Sequence, residues 1–284
     1  MIKAYYLLTK PGIIYSNALC AVGGFLLAAR ENITIVLLLA MIIGLSLVIA
    51  SACVFNNYID QDIDSKMSRT QKRALVKKTI PAGDALIYGA ILGSVGFSLL
   101  YFYTNPLTAF IAFIGFFFYV VVYSIGKRKT VHGTLLGSIS GAVPPVVGYC
   151  AVTNHFDITA FLLFLILVVW QMPHFYAIAI FRKDDYAAVS LPVLPVRKSI
   201  EQAKMQIVLY IIAFIMVSSL LTFFHFTGYS YLIGMMVVGI IWLLVALKGF
   251  RTHENLRWAR KVFFLSLVVI LVFSLLLCVN VWLP

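Results

Sequence analysis

The chain has 284 residues, of which 62% are hydrophobic and 11% are charged, and its formal net charge is +12. A soluble domain of this length has no interior large enough to hide such an apolar fraction, so the composition excludes a soluble globular protein. It indicates a polytopic membrane protein, in which polar residues inside the apolar segments are costly and therefore mark function.

Nine apolar stretches are long enough to cross a bilayer as helices, and they predict an all-α bundle. We expect these spans at residues 11–30, 33–58, 85–104, 106–126, 132–152, 157–180, 203–225, 228–248 and 262–282. In the fifth span, Gly137 and Gly141 allow another helix to approach closely, and Pro144-Pro145 should kink the helix. No linker or low-complexity segment divides the chain, so residues 1–284 are predicted to form one integral-membrane domain.

The basic residues are distributed unevenly between the two sides of the predicted bundle. With a cytoplasmic N-terminus, the cytoplasmic segments hold 20 of the 22 lysines and arginines, and only Arg30 lies clearly outside. This asymmetry follows the positive-inside rule and, after nine crossings, predicts an external C-terminus. The positive net charge is therefore explained by topology and by contact with anionic lipid, and it does not indicate a nucleic-acid partner.

The second span ends in the most informative stretch of the chain, where Asn56, Asp60 and Asp64 recur at every fourth residue. On a helix this spacing keeps the three side chains near one face, at a depth where an unpaired carboxylate is costly. Magnesium takes such oxygen ligands and bridges to substrate phosphates, which favours a metal site. The alternative is a solvated loop whose acids balance the basic residues that follow, such as Arg69 and Arg73.

The fourth span closes on the same cytoplasmic side with Tyr123 and the basic run Lys127, Arg128 and Lys129. Lys127 and Arg128 are candidates to clamp phosphate oxygens, the arginine through its fork and the lysine as a point charge. Tyr123 lies one helical turn before Lys127 and shares its face. A purely topological anchor is the alternative for the run, and it is the interpretation we favour for Lys129.

The sixth span contains Gln171, Pro173 and His174 within an otherwise apolar segment. Polar groups are costly there, so we expect Gln171 and His174 to face a cavity. Three roles stay open for His174: an interior histidine with satisfied hydrogen bonds, a ligand of haem iron, or an acid–base group. In the loop that follows, Asp185 is a candidate to hold a second magnesium ion, or else to pair with a neighbouring basic residue.

These motifs resemble the signatures of the UbiA superfamily of intramembrane prenyltransferases. The first signature of that superfamily is Asn-Asp-x-x-Asp-x-x-x-Asp, and residues 56–64 match it, with Asn57 where many members carry Asp. A second signature, Tyr-x-x-x-Lys, is matched by Tyr123 and Lys127. The two segments that carry the resemblance, residues 56–64 and 123–127, are the same ones that the residue chemistry indicates for metal and phosphate binding.

The later aspartate signature, Asp-x-x-x-Asp, is incomplete because Phe181 occupies its first position and Asp185 its last. A symmetric two-metal arrangement is therefore not expected, and the half beginning at Asn56 should carry most of the metal binding. Residues 9–14 and 170–174 are similar to the branch of the superfamily that farnesylates haem B.

The resemblance implies nine transmembrane helices around a central cavity, with a cap of cytoplasmic loops, in a bacterial inner membrane. It implies an Mg²⁺-dependent enzyme that transfers farnesyl from farnesyl diphosphate to a vinyl group of haem B, makes haem O and releases diphosphate. Haem A synthase or haem-copper oxidase assembly is the implied downstream partner. A prenyltransferase of quinone precursors or other aromatic rings stays open, and a haem-binding transport or electron-transfer protein is the remoter alternative.

The resemblance also implies roles for particular residues. Metal binding and catalysis are expected from Asn56, Asp60, Asp64 and Asp185. Binding of the diphosphate is expected from Arg69, Arg73, Lys127 and Arg128, with Tyr123 beside them. His174 is expected to contact haem or to handle a proton.

Overall fold

The computed structural model describes residues 1–30 and 32–280, and all regular elements in this part of the chain are helical. The helices are α1 (Ile2–Leu8), α2 (Pro11–Ala29), α3 (Ile35–Ile59), α4 (Gln61–Asp64), α5 (Ala82–Tyr103), α6 (Pro106–Phe117), α7 (Ser124–Lys129), α8 (Gly133–Gly141), α9 (Val143–Thr153), α10 (Ile158–Phe181), α11 (Lys183–Ala188), α12 (Leu194–Arg197), α13 (Ile200–Phe223), α14 (Tyr229–Leu247) and α15 (Asn255–Val279). A π-helical segment, Phe118–Tyr123, joins α6 to α7, and a 3₁₀ turn, Lys248–Arg251, follows α14.

Nine segments among the described residues are long and apolar enough to cross a membrane, which confirms the predicted number. They are formed by α2, α3, α5, α6–α7, α8–α9, α10, α13, α14 and α15. The largest boundary difference concerns the last span, which was expected to begin at residue 262, whereas α15 begins at Asn255. Its basic first turns lowered the hydropathy there, but Trp258 and Ala259 are buried and hold those turns in the helix.

The nine spans form a ring in which each packs on its neighbours in the chain, and α15 packs back on α2. Inside the ring, α2 also packs on α9, and α10 packs on α15. Small residues permit these contacts: a Cβ atom added at Gly24 of α2 would stand 2.0 Å from the carbonyl oxygen of Pro145. This backbone contact joins the first and fifth spans, as expected for membrane helices that associate through glycine.

The fifth span is broken at Ala142, between α8 and α9, as the prolines predicted. Pro144 and Pro145 lie in the first turn of α9, where a missing N–H costs no helical hydrogen bond. The predicted close approach is confirmed as well. A Cβ atom at Gly137 would meet the ring of Tyr123 at 2.9 Å, and one at Gly141 would meet Gln171 Oε1 at 2.0 Å.

Two long loops, residues 60–81 and 182–199, fold over one end of the ring and are held by two small apolar clusters. One cluster joins the loops to each other and contains Ile63, Met67 and Leu191. The other joins the first loop to the N-terminal helix α1 and contains Leu8, Val54, Leu75, Ile80 and Ala85. The two loops therefore form a packed cap on the ring, and α1, which the hydropathy pattern did not predict, belongs to it.

Candidate active site

The first polar motif lies where α3 meets the cap. Asn56 is in the last turn of α3 and Asp60 caps the helix, and both side chains are buried. Asn56 Nδ2 donates a hydrogen bond of 2.9 Å to Asp60 Oδ2, as expected for residues four positions apart. The structure therefore brings the first two members of the motif into direct contact.

Asp60 is surrounded by cations from the end of the fourth span. Lys127 Nζ forms an ion pair with Asp60 Oδ2, and Arg128 Nη2 lies 3.5 Å from Asp60 Oδ1. Only 8% of the Asp60 side chain is exposed, so the carboxylate charge depends on these partners. Arg128 also forks onto the exposed Asp62, with two hydrogen bonds of 2.7 and 2.8 Å, and thereby lowers the pKa of that carboxyl group.

Asp64 has a separate cation. Arg73 Nη1 forms an ion pair with Asp64 Oδ2, and the Asp64 side chain is only 6% exposed. Thr70 Oγ1 donates a hydrogen bond of 3.0 Å to the Asp64 carbonyl oxygen, which folds the first loop back over α4. Each buried carboxylate of the motif is thus paired with one of the basic residues that the sequence selected for phosphate binding.

The N-terminal segment contributes Lys10, a residue to which the sequence patterns assigned no role in the site. Lys10 Nζ donates a hydrogen bond of 2.7 Å to Asn56 Oδ1, and the Tyr119 hydroxyl group donates to the same oxygen at 3.4 Å. Burial lowers the pKa of Lys10 to about 8. The one signal in the sequence was the position of this lysine, directly before the proline that begins the first span.

The π-helical segment positions two tyrosines beside the carboxylates. The rings of Tyr119 and Tyr123 stack with centroids 5.8 Å apart and an angle of 20° between the planes. Lys127 Nζ lies 5.1 Å from the centre of the Tyr123 ring, and Lys10 Nζ lies 6.0 Å from that of Tyr119. Short π-helical insertions occur often at functional sites. Here the insertion stacks two tyrosine rings, and one lysine ammonium group lies over each ring.

Asn57 explains one departure from the superfamily signature. Its Nδ2 group donates a hydrogen bond of 2.8 Å to the carbonyl oxygen of Leu8, the last residue of α1. An aspartate at this position has no proton to donate and would set a carboxylate against that carbonyl oxygen. Asn57 Oδ1 is buried and has no hydrogen-bond partner among the described residues. The side chain therefore serves to hold α1 in place.

The second polar motif is separate from the first. Asp185 Oδ1 accepts a hydrogen bond of 2.7 Å from Ser68 Oγ, and Asp185 Oδ2 lies 3.7 Å from Arg182. Arg69 is exposed. Burial raises the pKa of Tyr186, and the charges of Arg69 and Arg182 partly offset that rise. Within residues 1–30 and 32–280, no three His, Cys, Asp or Glu side chains group as a preformed metal site.

His174 lies apart from the carboxylates, on the face of α10 that meets α15. Its ring stacks on Trp170 at 5.0 Å and contacts Phe263 at 4.9 Å. His174 Nδ1 lies 2.8 Å from Ser266 Oγ, and Ser266 Oγ itself donates to the carbonyl oxygen of Phe263. The serine hydroxyl proton is thereby used, so His174 Nδ1 donates to Ser266 and the lone pair of Nε2 stays available.

The expectation that Gln171 faces a cavity is wrong. Its side chain is buried, and Nε2 donates hydrogen bonds to the carbonyl oxygens of Ser138 at 3.0 Å and Leu167 at 2.9 Å. Gly141 makes room for this amide next to α8. The cost of a polar group inside the membrane is thus met by helix–helix hydrogen bonds rather than by a ligand.

A cavity adjoins Lys127 between α8, α10 and the cap. Aromatic side chains from three elements line it, namely Tyr123, Phe175 and Tyr186, and the remaining lining is mostly apolar. The faces of aromatic rings attract cations. The site therefore has a charged end at the carboxylates and an aromatic, apolar space next to it.

The oxygen donors at the charged end fit magnesium. The set consists of the Asp60 and Asp64 carboxylates and the Asn56 amide, which are the hard oxygen ligands that Mg²⁺ prefers. Both carboxylates are nearly buried and form ion pairs with basic side chains. A divalent ion bound there would share these carboxylates with the basic residues. Asp185 belongs to the other loop and would have to join from the Ser68 side.

Comparison with known sequences identifies close relatives over the whole chain. Residues 17–268 match the sequence profile described as the UbiA prenyltransferase family. The protoheme IX farnesyltransferase of Edwardsiella ictaluri (strain 93-146) is 53% identical over 281 residues, which cover 99% of this chain and 95% of the relative. The protoheme IX farnesyltransferase of Protochlamydia amoebophila (strain UWE25) is 52% identical, with 97% of each chain covered.

Solved structures share the fold at much lower identity. A digeranylgeranylglyceryl phosphate synthase superposes with a TM-score of 0.81 at 19% identity, covering 99% of this chain and 98% of that one. A UbiA homolog from Archaeoglobus fulgidus, bound to GPP and Mg²⁺, superposes with a TM-score of 0.69 at 13% identity, covering 97% and 99%. The all-α ring of nine spans is therefore the fold of these membrane proteins.

Proposed function

We propose, because this chain belongs to the UbiA prenyltransferase family, that it transfers the farnesyl group of farnesyl diphosphate to a vinyl group of haem B. The products are haem O and diphosphate. The observation that carries the substrate assignment is the high identity, over nearly the full length, to relatives named protoheme IX farnesyltransferase. The geometry supports it, since a charged end suited to diphosphate adjoins a cavity with an aromatic and mostly apolar lining.

The diphosphate is bound at the charged end by residues that now neutralise carboxylates. Lys127 and Arg73 hold Asp60 and Asp64 in ion pairs, and Arg128 lies next to both Asp60 and Asp62. These cations can turn from a carboxylate to a phosphate oxygen without leaving the site, because both are acceptors for the same charged donors. Arg69 is exposed on the same loop and is available to the outer phosphate.

Magnesium is the metal that this donor set favours, with Asn56, Asp60 and Asp64 as ligands and Asp185 assisting from the second loop. When bound, it would neutralise the negative charge that develops on the departing diphosphate. The basic residues do the same from the protein side, and they are already oriented by their carboxylate partners.

The reaction then proceeds by ionisation of the allylic donor. The bond between the farnesyl carbon and the diphosphate oxygen breaks, and its electron pair leaves with the diphosphate. Tyr123, Phe175 and Tyr186 line the adjoining cavity, and aromatic rings attract cations through their faces, which favours the allylic cation there. The apolar surroundings exclude water and so prevent premature hydrolysis to farnesol.

Haem B supplies the nucleophile. The vinyl π bond attacks the farnesyl cation and forms the new carbon–carbon bond, which leaves a cation next to the porphyrin ring. Water adds to that carbon and releases one proton, so farnesyl diphosphate, haem B and water give haem O, diphosphate and a proton. His174 is the candidate for haem contact or for accepting this proton, because its Nε2 lone pair is available.

The proposed setting is a bacterial inner membrane, with the N-terminus and the active-site cap in the cytoplasm and the C-terminus outside. The basic residues support this orientation, since 20 of 22 then lie on the cytoplasmic side. The product would pass to the next enzyme of haem modification, such as a haem A synthase, or to assembly of a haem-copper oxidase.

The decisive experiment incubates membranes containing the protein with haem B, farnesyl diphosphate and Mg²⁺ and follows haem O by mass spectrometry. Haem O should appear only when all components are present, and chelation of divalent metal should stop its formation. A parallel assay supplies an aromatic quinone precursor in place of haem B. A prenylated quinone precursor in the absence of any haem O would replace this proposal with the alternative acceptor.

A further inference from the structure

A second cavity, the side cavity, lies between α8, α10, α13 and the end of the second loop. Its volume is about 360 Å³, which is in the range of pockets that hold small organic ligands. Met172 and Tyr176 of α10 are buried in its wall, whereas Leu135 and Met205 are exposed. The side cavity therefore runs from the packed helices to the outer surface of the ring, and its lining is distinct from the ion pairs of the charged end.

The side cavity adjoins the aromatic cavity next to Lys127, because Val131 lines both of them. On α10, Phe175 and Ala179 line the aromatic cavity, whereas Met172 and Tyr176 line the side cavity. These two pairs occupy neighbouring strips of the helix surface. A ligand in the side cavity would thus lie next to the space in which the prenyl cation is proposed to form.

The lining of the side cavity suits a flat, apolar molecule that carries negative charge at one edge. The rings of Tyr176 and Tyr210 meet with centroids 6.3 Å apart, at an angle of 52°. Lys198 is exposed where the second loop ends, and within the described part of the chain it forms no ion pair. Gln202 and Gln206 precede Tyr210 on α13 at intervals of four residues, so their amide groups share its face and supply N–H donors.

Haem B has this combination of shape and charge. Its macrocycle is flat and apolar, two ionised propionate groups lie on one half of the ring, and the two vinyl groups lie on the other half. The side cavity also contains His132, Met172 and Met205, whose side chains are of the kinds that ligate haem iron. An anionic lipid shares the negative charge and the apolar part, but it has no use for such ligands. The lining therefore favours haem over lipid.

We propose that the side cavity is the binding site of the acceptor haem B, with a propionate group on Lys198 and the macrocycle against the two tyrosine rings. This inference rests on the proposed function. It directs the vinyl-bearing half of the ring away from Lys198 and toward Val131, where the two cavities adjoin. His174 lies on another face of α10, against α15, and does not line this site.

The test measures binding of zinc protoporphyrin IX to the purified full-length protein, without farnesyl diphosphate, by porphyrin fluorescence. The protein is held in nanodiscs of phosphatidylcholine and phosphatidylglycerol, and the dimethyl ester of the porphyrin is titrated in parallel as a ligand without ionised carboxylates. Lys198→Met removes the ammonium group, and Lys198→Arg keeps a positive charge. Lys248→Met is the matched control, because Lys248 is also exposed, follows the end of a span and lies outside the lining.

A second pair of variants tests the interior of the side cavity. Gln206→Trp places a large ring at a half-buried position of the lining on α13. Leu209→Trp is its matched control, because it adds the same ring to the same helix at an exposed position outside the lining.

We expect Lys198→Met to weaken binding of zinc protoporphyrin IX by about 3- to 10-fold, between the values for an exposed ion pair and for a hydrogen bond to a charged group. The dimethyl ester should bind to this variant and to the wild type alike. The KM for haem B should rise in Lys198→Met, with no change in the KM for farnesyl diphosphate. Gln206→Trp should prevent binding of both porphyrins, whereas Lys198→Arg and the two controls should match the wild type.

Porphyrin affinity within about twofold of wild type in Lys198→Met and Gln206→Trp would overturn the assignment, because even the smallest expected loss is larger. An equal loss of ester binding in Lys198→Met would also overturn it, since the carboxylates would then not be recognised there. Lys198 is exposed, so Lys198→Met decides if Gln206→Trp does not fold.

Two further outcomes are distinguishable from these. Loss of bound phosphatidylglycerol in the same variants, measured by native mass spectrometry with porphyrin binding unchanged, would show that the side cavity holds lipid and that the assignment is wrong. If the proposed function fails instead, the wild-type protein makes no haem O, while the porphyrin titrations still report on Lys198 and Gln206.

Discussion

The two aspartate motifs of this chain each lie where a long apolar helix runs into a long loop of the cap, yet their surroundings differ. The first motif lies at the end of a transmembrane helix, with Asp60 and Asp64 nearly buried and each paired with a cation. The second lies in the loop after α10, where Asp185 joins Ser68 of the opposite loop and faces Arg182. The first motif places buried charged groups in the site, whereas the second connects the two loops of the cap.

The difference shows how a site can become asymmetric without losing its fold. At the position where the superfamily signature has its earlier aspartate, Phe181 packs on Phe263 with ring centroids 5.5 Å apart. That ring contributes to the aromatic contacts between α10 and α15 near His174. The second half therefore contributes aromatic packing between α10 and α15, while the first half carries the buried charges.

The largest effect is expected from Asp60→Ala. The change removes a proposed metal ligand and leaves Lys127 buried without its partner, so kcat/KM for haem O formation should fall by at least about 100-fold. Haem O from purified protein, measured by mass spectrometry, checks the rate, and a melting curve in detergent checks the fold. Wild-type turnover in this variant would show that the first motif does not bind the metal.

A smaller effect is expected from Phe181→Asp, which completes the second signature. Because the new carboxylate would replace a ring packed on Phe263, the free energy of unfolding should fall by about 1–3 kcal/mol, with no tighter magnesium binding. Phe181→Leu is the control that keeps an apolar side chain. Calorimetric titration of Mg²⁺ with pyrophosphate decides the matter, and a clear gain in affinity would mean that the two halves are still equivalent.

Asp185→Asn should reduce turnover by only about 3- to 10-fold, because the side chain keeps its hydrogen bond to Ser68 and loses only its charge. Ser68→Ala is the complementary variant, because it removes this hydrogen bond and leaves the charge of Asp185 in place. Haem O formation measured side by side for the two variants tests this. If Asp185→Asn reduced haem O formation as much as Asp60→Ala, the two motifs would contribute equally to the reaction.

The smallest effect is expected from Asp62→Asn. Asp62 is the carboxylate between the two buried ones, but its side chain is 61% exposed and its pair with Arg128 is at the surface. Exposed pairs contribute little, so activity should stay within about twofold of wild type. The same haem O assay applies, and a loss comparable with that of Asp60→Ala would show that burial is not what separates these acids.

Sequence reasoning went furthest where the pattern was local. Apolar length predicted the nine spans, and the prolines predicted the break in the fifth span. The spacing of four residues predicted that Asn56 and Asp60 share a helix face, and the structure joins them by a hydrogen bond. It went wrong at Gln171, because the cost of a buried polar group does not reveal whether a ligand or a neighbouring helix meets it. The roles of Asp185 and His174 in the reaction stay predictions.

The amino-acid sequence by itself determined the class of protein, its spans, the two motifs and the family, since hydropathy and short spacings are local properties of the chain. Only the tertiary structure decided which cation meets which carboxylate and that Lys10, at the start of α2, reaches Asn56. The physical reason is distance along the chain: Lys10 and Asn56 are separated by 46 residues, and Ser68 and Asp185 by 117. Helix packing, set by close contacts such as that of Gly24 with Pro145, brings such pairs together.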